Sequence, residues 1–517
     1  MIGAGTAGCV LAARWSQDPA RSVLLVEAGP DYPDGQWPRQ IATFSVLSQA
    51  FDGPHMWGYR ASANTYQPDA MPVPRGKVVG GSSAINGGMF LRGMPHDFDE
   101  WATLGNPGWD FASVLPYFKM SERDCDCADD VHGHAGPTPV NRPALAGLTP
   151  IHTAFAEACD ANRVPVDDCM NHPDATGLGL VPMNAVGRSR ISAAMAYLDP
   201  ARDRPNLTIL PDTQCTRVVV HGNRARGVEL RSSSSTDAVF VAATEVVLSA
   251  GAVGSPQLLM LSGIGPAAHL RELGLDARLD LPGVGENLRD HPVVTPLYET
   301  TTAGRAKRDD PIVQISYRYT TPGSTYRNNV MLTPCSMAGT LRPSADGVGG
   351  AFSGGLTPDA AAATTGVAIM LAHAASAGRL RLVAADPTVA PSLAYEYLSD
   401  PVDLATLRHG VRYVDHLVQH RSYENIVARR AAPFDDVLED DDRLDDWLRR
   451  SVTTSHHISG TCKMGPTSDA MAVVDEHGRV HGVDGLRVMD ASIMPNVVGV
   501  NPNATTLMIA ERLAAIS

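Results

Sequence analysis

A glycine turn at the start of the chain restricts its fold more than any other segment. Gly3-Ala4-Gly5-Thr6-Ala7-Gly8 runs into apolar Cys9-Val10-Leu11-Ala12-Ala13, and a second apolar run, Ser22 to Val26, ends in Glu27. In a strand–turn–helix unit, Gly3 gives backbone freedom, Gly5 admits a pyrophosphate, and Gly8 allows close helix–strand packing. Amides at the helix N-terminus then meet phosphate oxygens. Glu27 stands close to the ~20-residue spacing at which a carboxylate receives ribose hydroxyl hydrogens. The glycines alone also suit a structural turn. Together with the helix, strand and terminal acid they specify an α/β dinucleotide unit, without choosing between FAD and NAD. Only Met1 and Ile2 precede Gly3, so we expect either a shortened N-terminus or an unusually brief central strand.

At 517 residues the chain exceeds what one core usually fills, which favours two associated domains. A formal charge of -14 argues against a nonspecific nucleic-acid binder and against broad attraction to anionic membranes. Eight cysteines make no disulfide framework and fit a reducing compartment. With no membrane-length apolar window and no leader pattern, a cytoplasmic location is expected. Ser232 to Ser235 separate strand-like Ala225–Leu230 and Ala238–Ala242, which reads as a hairpin.

Longer segments narrow the cofactor. Pro74-Arg75-Gly76-Lys77-Val78-Val79-Gly80-Gly81-Ser82-Ser83-Ala84-Ile85-Asn86-Gly87 combines close-approach glycines with small hydrogen-bonding groups. This stretch, Gly251 to Pro266 and Asp280 to His291 resemble signatures of the glucose–methanol–choline oxidoreductase family, and the resemblance extends over almost the whole chain. It implies an α/β FAD-binding Rossmann-like fold with a second α+β substrate domain containing an antiparallel sheet. It puts Gly80, Gly81, Ser82, Ser83 and Asn86 beside the flavin. Some relatives attach FAD through a histidine of this signature; the matching position here is Ile85, which implies noncovalent FAD.

Leu486 to Pro495 resembles the family segment near the flavin phosphate and ribityl chain, which implies roles for Asp490 and Ala491. Asp490 can accept a hydroxyl hydrogen bond. Asn503 is expected to cap a C-terminal helix, with Thr506 pairing to its first-turn amides. The resemblance places that helix start near the flavin pyrimidine, where its dipole favours negative charge on the reduced ring.

Ser455-His456-His457-Ile458-Ser459-Gly460-Thr461 carries the resemblance to the family's catalytic block. It implies His457 as the active histidine and Asn501 as its partner. A neutral His457 would take a hydroxyl proton, Asn501 would hold the oxygen, and hydride would pass to flavin N5. His456 is expected either to orient His457 or to line the pocket, although neighbours in an extended segment tend to point oppositely. Trp57 and Tyr59 are expected near the entrance, and the substrate is expected to be a small-molecule alcohol. Ser455, two residues before His457, tilts the expectation towards a quinone or other electron acceptor over dioxygen, because some oxygen-using relatives carry an apolar residue there.

Cys125-Asp126-Cys127 with His132 and His134 offers metal-type ligands but no four-ligand zinc spacing, so no metal is expected. The FAD-binding domain is expected to be discontinuous, from residues 1–145, 205–290 and 455–517. Residues 146–204 and 291–454 would form the substrate domain, with Met89 to Trp109 as crossing loops. Its expected strands include Ile312–Tyr319 and Val367–Ala372, its helix Leu404–Leu417, its turn-rich insertion Gly347–Gly355, and a solvated acidic face over 435–446. Two other classes remain: a family-like lyase that never reduces its flavin, and a noncatalytic flavin-binding interaction protein.

Overall fold

The computed structural model describes residues 1–43, 53–307, 310–336, 343–344, 347–348 and 363–517. Ile2 occupies the central position of a parallel array. Ile2 bridges in parallel to Val26 on one side and Leu248 on the other. Ile2 N donates to Val247 O at 2.8 Å and Gly3 N to Val26 O at 2.8 Å, while Val26 N and Ser249 N return bonds to Met1 and Ile2. Met1, Ile2 and Gly3 thus bond to both neighbouring strands. Outside them, Val23–Val26 pairs with Leu207–Leu210 and Val246–Leu248 with Leu486–Val488, all parallel.

One helix packs on this sheet and a second packs on that helix. Thr6–Trp15 and Asn503–Ala515 pack against one another, and each is buried nearly all round. Such a helix has no solvent face to make polar. Its charge must then be paired: Arg14 grips Glu511 with two bonds of 2.7 Å, and Tyr197 OH donates to the same carboxylate.

The second sheet has nine strands. Its main path runs Val427–Ala432, Leu297–Thr300, Thr364–Leu371, Val330–Ser336, Ile315–Tyr319, Gly177–Leu180 and Val166–Asp167. Pro292–Val294 and Thr453–Thr454 join it at Thr364–Leu371. All pairings are antiparallel except that between Val166–Asp167 and Gly177–Leu180. Pro150–Ala161 and Pro401–Val418 pack on it. The latter helix starts cleanly, with Asp400 accepting from Val402 N at 2.8 Å and proline at its first position.

The expected strands and the Ser232–Ser235 hairpin form within a few residues of the positions read from sequence. The stretch from Met89 to Trp109 is not all loop, because Pro95–Thr103 is helical and the Asp97 carboxylate accepts from Met94 N at 2.7 Å. The acidic stretch is more than a solvated face: Asp445 and Asp441 both bind Arg408 on Pro401–Val418. Of Gly347–Gly355, only Gly347–Val348 lies within the described residues, as a short strand. Among those residues, no helix is long and apolar enough to cross a membrane.

Candidate active site

One long cavity, about 310 Å³ inside, runs from the glycine turn to the histidine block. Gly3, Gly5, Glu27, Gly81, Ser82 and Asn86 line one end of it, and Asp490, Ala491, Asn501, Asn503 and His457 also face it. Gly8, Gly80 and Ser83 do not. Gly8 is a packing residue, since a Cβ there would stand 2.0 Å from Gly3 O. Ser83 is turned into the protein, donating to Gly80 O and accepting from Ala193 N. Gly80 N donates to Ala4 O, which ties this segment to the glycine turn.

The chemistry of the lining fits a dinucleotide. Helices Thr6–Trp15 and Asn503–Ala515 both start at the cavity, and neither has a side-chain cap. Their first-turn amides are therefore open to a ligand's oxygens. Glu27 accepts one backbone bond on each oxygen, from Ala4 N and Gly29 N at 3.0 Å, which leaves further lone pairs for hydroxyl groups. Burial pushes its carboxyl up to about 7, against the pull of those amides.

Two expectations about the cofactor end need correcting. Asp490 has no lone pair to spare: Gly251 N, Ser255 Oγ, Ser492 N and Ser492 Oγ all donate to it at 2.6–2.8 Å. It ties the 491–493 turn to helix Gly251–Leu261 and shapes the cavity without binding a hydroxyl. Asn503 is the first residue of its helix and not the cap, which is Pro502. Thr506 Oγ1 turns back to Pro502 O at 2.8 Å, so it satisfies a carbonyl instead of the amides.

At the other end, two strands bring two histidines together. Thr453–Thr454 pairs with Pro292–Val294, setting the residues just after Thr454 beside those just before Pro292. His457 Nδ1 lies 2.8 Å from His291 Nδ1, and His291 Nε2 lies 2.8 Å from Val498 O. A carbonyl can only accept, so His291 carries its proton on Nε2 and accepts on Nδ1. His457 must then donate from Nδ1, which leaves its Nε2 with a lone pair. Asp290 anchors the same turn, accepting from His457 N at 2.7 Å and from Thr454 Oγ1 and Tyr397 OH. The surface His457 retains borders the cavity, while the protein around it strips away solvent. This burial holds its pKa well below 6.5, and His291, His456 and Arg75 push the same way.

His291 belongs to a segment recognisable in sequence, but its role depends on a contact 166 residues away. Asn501 Nδ2 donates to Met89 O at 2.9 Å, and its buried Oδ1 has no hydrogen-bond partner among the described residues. His456 also lines the cavity, contrary to the simple alternation. Its φ of 68° turns the backbone left-handed, so the segment is not extended there. Ser455, Trp57, Tyr59 and Ile85 border the cavity as well, with Trp57 and Tyr59 stacked at 5.7 Å.

Family models described as GMC oxidoreductase match residues 1–293 and 374–510. A 5-(hydroxymethyl)furfural oxidase from Methylovorus sp. is 36% identical, over 99% of this chain and 97% of its own. An oxygen-dependent choline dehydrogenase from Sinorhizobium fredii is 35% identical, over 99% and 94%. Among solved structures, pyridoxine 4-oxidase from Mesorbium loti superposes with a TM-score of 0.88 at 29% identity, covering 100% of this chain and 98% of that one.

Proposed function

Because the chain belongs to the GMC oxidoreductase family, we propose that it oxidises an alcohol CH–OH group with His457 as proton acceptor and Asn501 orienting the oxygen. Its general activity is FAD-dependent oxidation of alcohol-type substrates, as in that family. FAD, when bound, supplies a hydride acceptor at N5. The single observation that carries the proton role is the His457–His291–Val498 chain, which turns a neutral His457 Nε2 lone pair outward. Burial keeps that ring neutral, so it is ready to accept the hydroxyl proton as hydride leaves the adjacent carbon. The Met89 carbonyl fixes the Asn501 amide, whose second Nδ2 hydrogen is left to hold the substrate oxygen. The first and last segments, with 205–290, form the flavin half, and 146–204 with 291–454 the substrate half.

Ile85 offers no nucleophile at the position matching the family's attachment histidine, so the flavin is held without a covalent bond. Glu27 binds the ribose of the FAD. Above pH 7, where Glu27 is ionised, Glu27→Gln removes a charge-assisted hydrogen bond and weakens FAD binding about tenfold to a hundredfold, by equilibrium dialysis of the apoprotein. Unchanged affinity would remove the residue from the ribose site.

Ser455 places a hydroxyl at the cavity wall, which favours a quinone or dye over dioxygen as acceptor. The names of two relatives, an oxidase and an oxygen-dependent dehydrogenase, favour the second reading, dioxygen. One experiment tests substrate, attachment and acceptor together. An alcohol panel is mixed anaerobically with the holoenzyme, the bleached flavin is then mixed separately with dioxygen and with a quinone, and the protein is finally denatured. We expect bleaching, faster reoxidation by quinone, and flavin released intact. No bleaching by any alcohol would refute the oxidation; product without bleaching would indicate lyase chemistry. Faster reoxidation by dioxygen with stoichiometric peroxide would make it an oxidase.

A further inference from the structure

Cys127 and His132 lack further zinc-type ligands at usable sequence spacing, yet the fold delivers a third. Cys169, in the turn between Val166–Asp167 and Gly177–Leu180, comes against the segment that links Glu122–Asp124 to Thr138–Val140. Its Sγ lies 3.3 Å from His132 Nε2, and the ligand atoms of Cys127, His132 and Cys169 all lie within 4.8 Å of one another. None of the three lines the catalytic cavity.

The surroundings prepare these atoms for a cation. Asp129 Oδ1 sits 2.6 Å from His132 Nδ1, so the ring's proton is held there and Nε2 is turned to the sulfurs. A carboxylate behind a histidine in this way is the usual support of a metal ligand. His132 itself is buried. Arg142 donates to Cys169 Sγ at 3.2 Å, and its charge is already matched by two bonds to Asp124. Tetrahedral zinc with bonds of ~2.3 Å to sulfur and ~2.0–2.1 Å to nitrogen sets those two ligands ~3.5 Å apart. The observed gap needs only a few tenths of an ångström to open.

We propose that Cys127, His132 and Cys169 bind one zinc ion, with water as fourth ligand. Two ligands come from the segment beside the flavin half and one from the turn at the edge of the nine-stranded sheet, so the ion is a staple between them. Binding displaces the Cys127 proton and any proton shared by Cys169 and His132, so affinity falls as pH falls.

The flavin-loaded full chain is stripped with a chelator, equilibrated with zinc sulfate, gel-filtered and assayed for metal. We expect one zinc per chain, at least tenfold less in Cys127→Ser and in Cys169→Ser, and a higher thermal midpoint with zinc in the unmodified chain only. Flavin content and the rate of alcohol-driven bleaching stay unchanged in both variants, which shows that they fold. His132→Asn is the second check, should a serine ligate weakly in place of a thiolate. No retained zinc, equal zinc in all variants, or a Cys127–Cys169 disulfide in peptide maps of the purified chain would each overturn the assignment.

Discussion

His457→Ala is expected to slow alcohol-driven flavin reduction by about a hundredfold to ten-thousandfold, the range over which a positioned general base contributes. The flavin should stay bound, because His457 is reached through Asp290 and His291 and not through the glycine turn. The wild-type rate carries a second signature. Burial keeps His457 neutral well below pH 6.5, so the reductive rate should run flat through pH 6.5 and decline only at clearly lower pH. A break at 6.5 would mean that an ordinary solvated imidazole is the base. Stability follows the same sign: the unfolded chain takes up a proton near pH 6.5 that the folded chain refuses, so this residue's contribution is lost as pH drops through that value. An alanine enzyme that reduces flavin at the wild-type rate would end the proposal for His457.

The second large effect concerns the fold. Arg92 and Glu122 form an ion pair with 2% and 0% side-chain exposure. Arg92→Ala leaves Glu122 with Gly133 N as its remaining donor in a buried site. The expected loss is about 3–5 kcal/mol, the usual cost of an orphaned buried charge. Burial already raises the Glu122 pKa, and Arg92 is the largest influence opposing that rise. In the variant, therefore, the loss should grow as pH rises and shrink in acid, where Glu122 is protonated. Replacing both residues with methionine should recover most of it, because the desolvation cost leaves with the charge. Urea unfolding at pH 5 and pH 8 decides; a loss below about 1 kcal/mol, or one independent of pH, counts against the argument.

Local chemistry was readable from the residues. The Gly3–Gly8 turn, the acid at Glu27 and the serine hairpin depend on short-range geometry, and so did the helix over Leu404–Leu417. The His457 and Asn501 assignments came from family likeness, and the cavity brings both residues to its wall. What sequence hid was set by distant partners. His291 becomes important through a ring 2.8 Å away, Asp490 is saturated by Ser255 from another element, and Cys169 reaches His132 only once the turn after Val166–Asp167 packs on the segment between Glu122–Asp124 and Thr138–Val140. His456 shares the cavity with His457 because one left-handed residue breaks a period of two. Spacing rules carry no information about such contacts.

The parallel array around Ile2 also sets an order of events during synthesis. Its strands begin with residue 2 and end with Leu486–Val488, and the first helix rests on the last one. A chain emerging from the ribosome therefore holds its glycine turn long before the helix that covers it exists. Closing such distant pairings is slow, and the exposed apolar helix Thr6–Trp15 is prone to aggregate meanwhile. Flavin capture that uses both helix starts must then await synthesis of Asn503–Ala515, and the ligand's affinity draws the late-forming pieces into the native state.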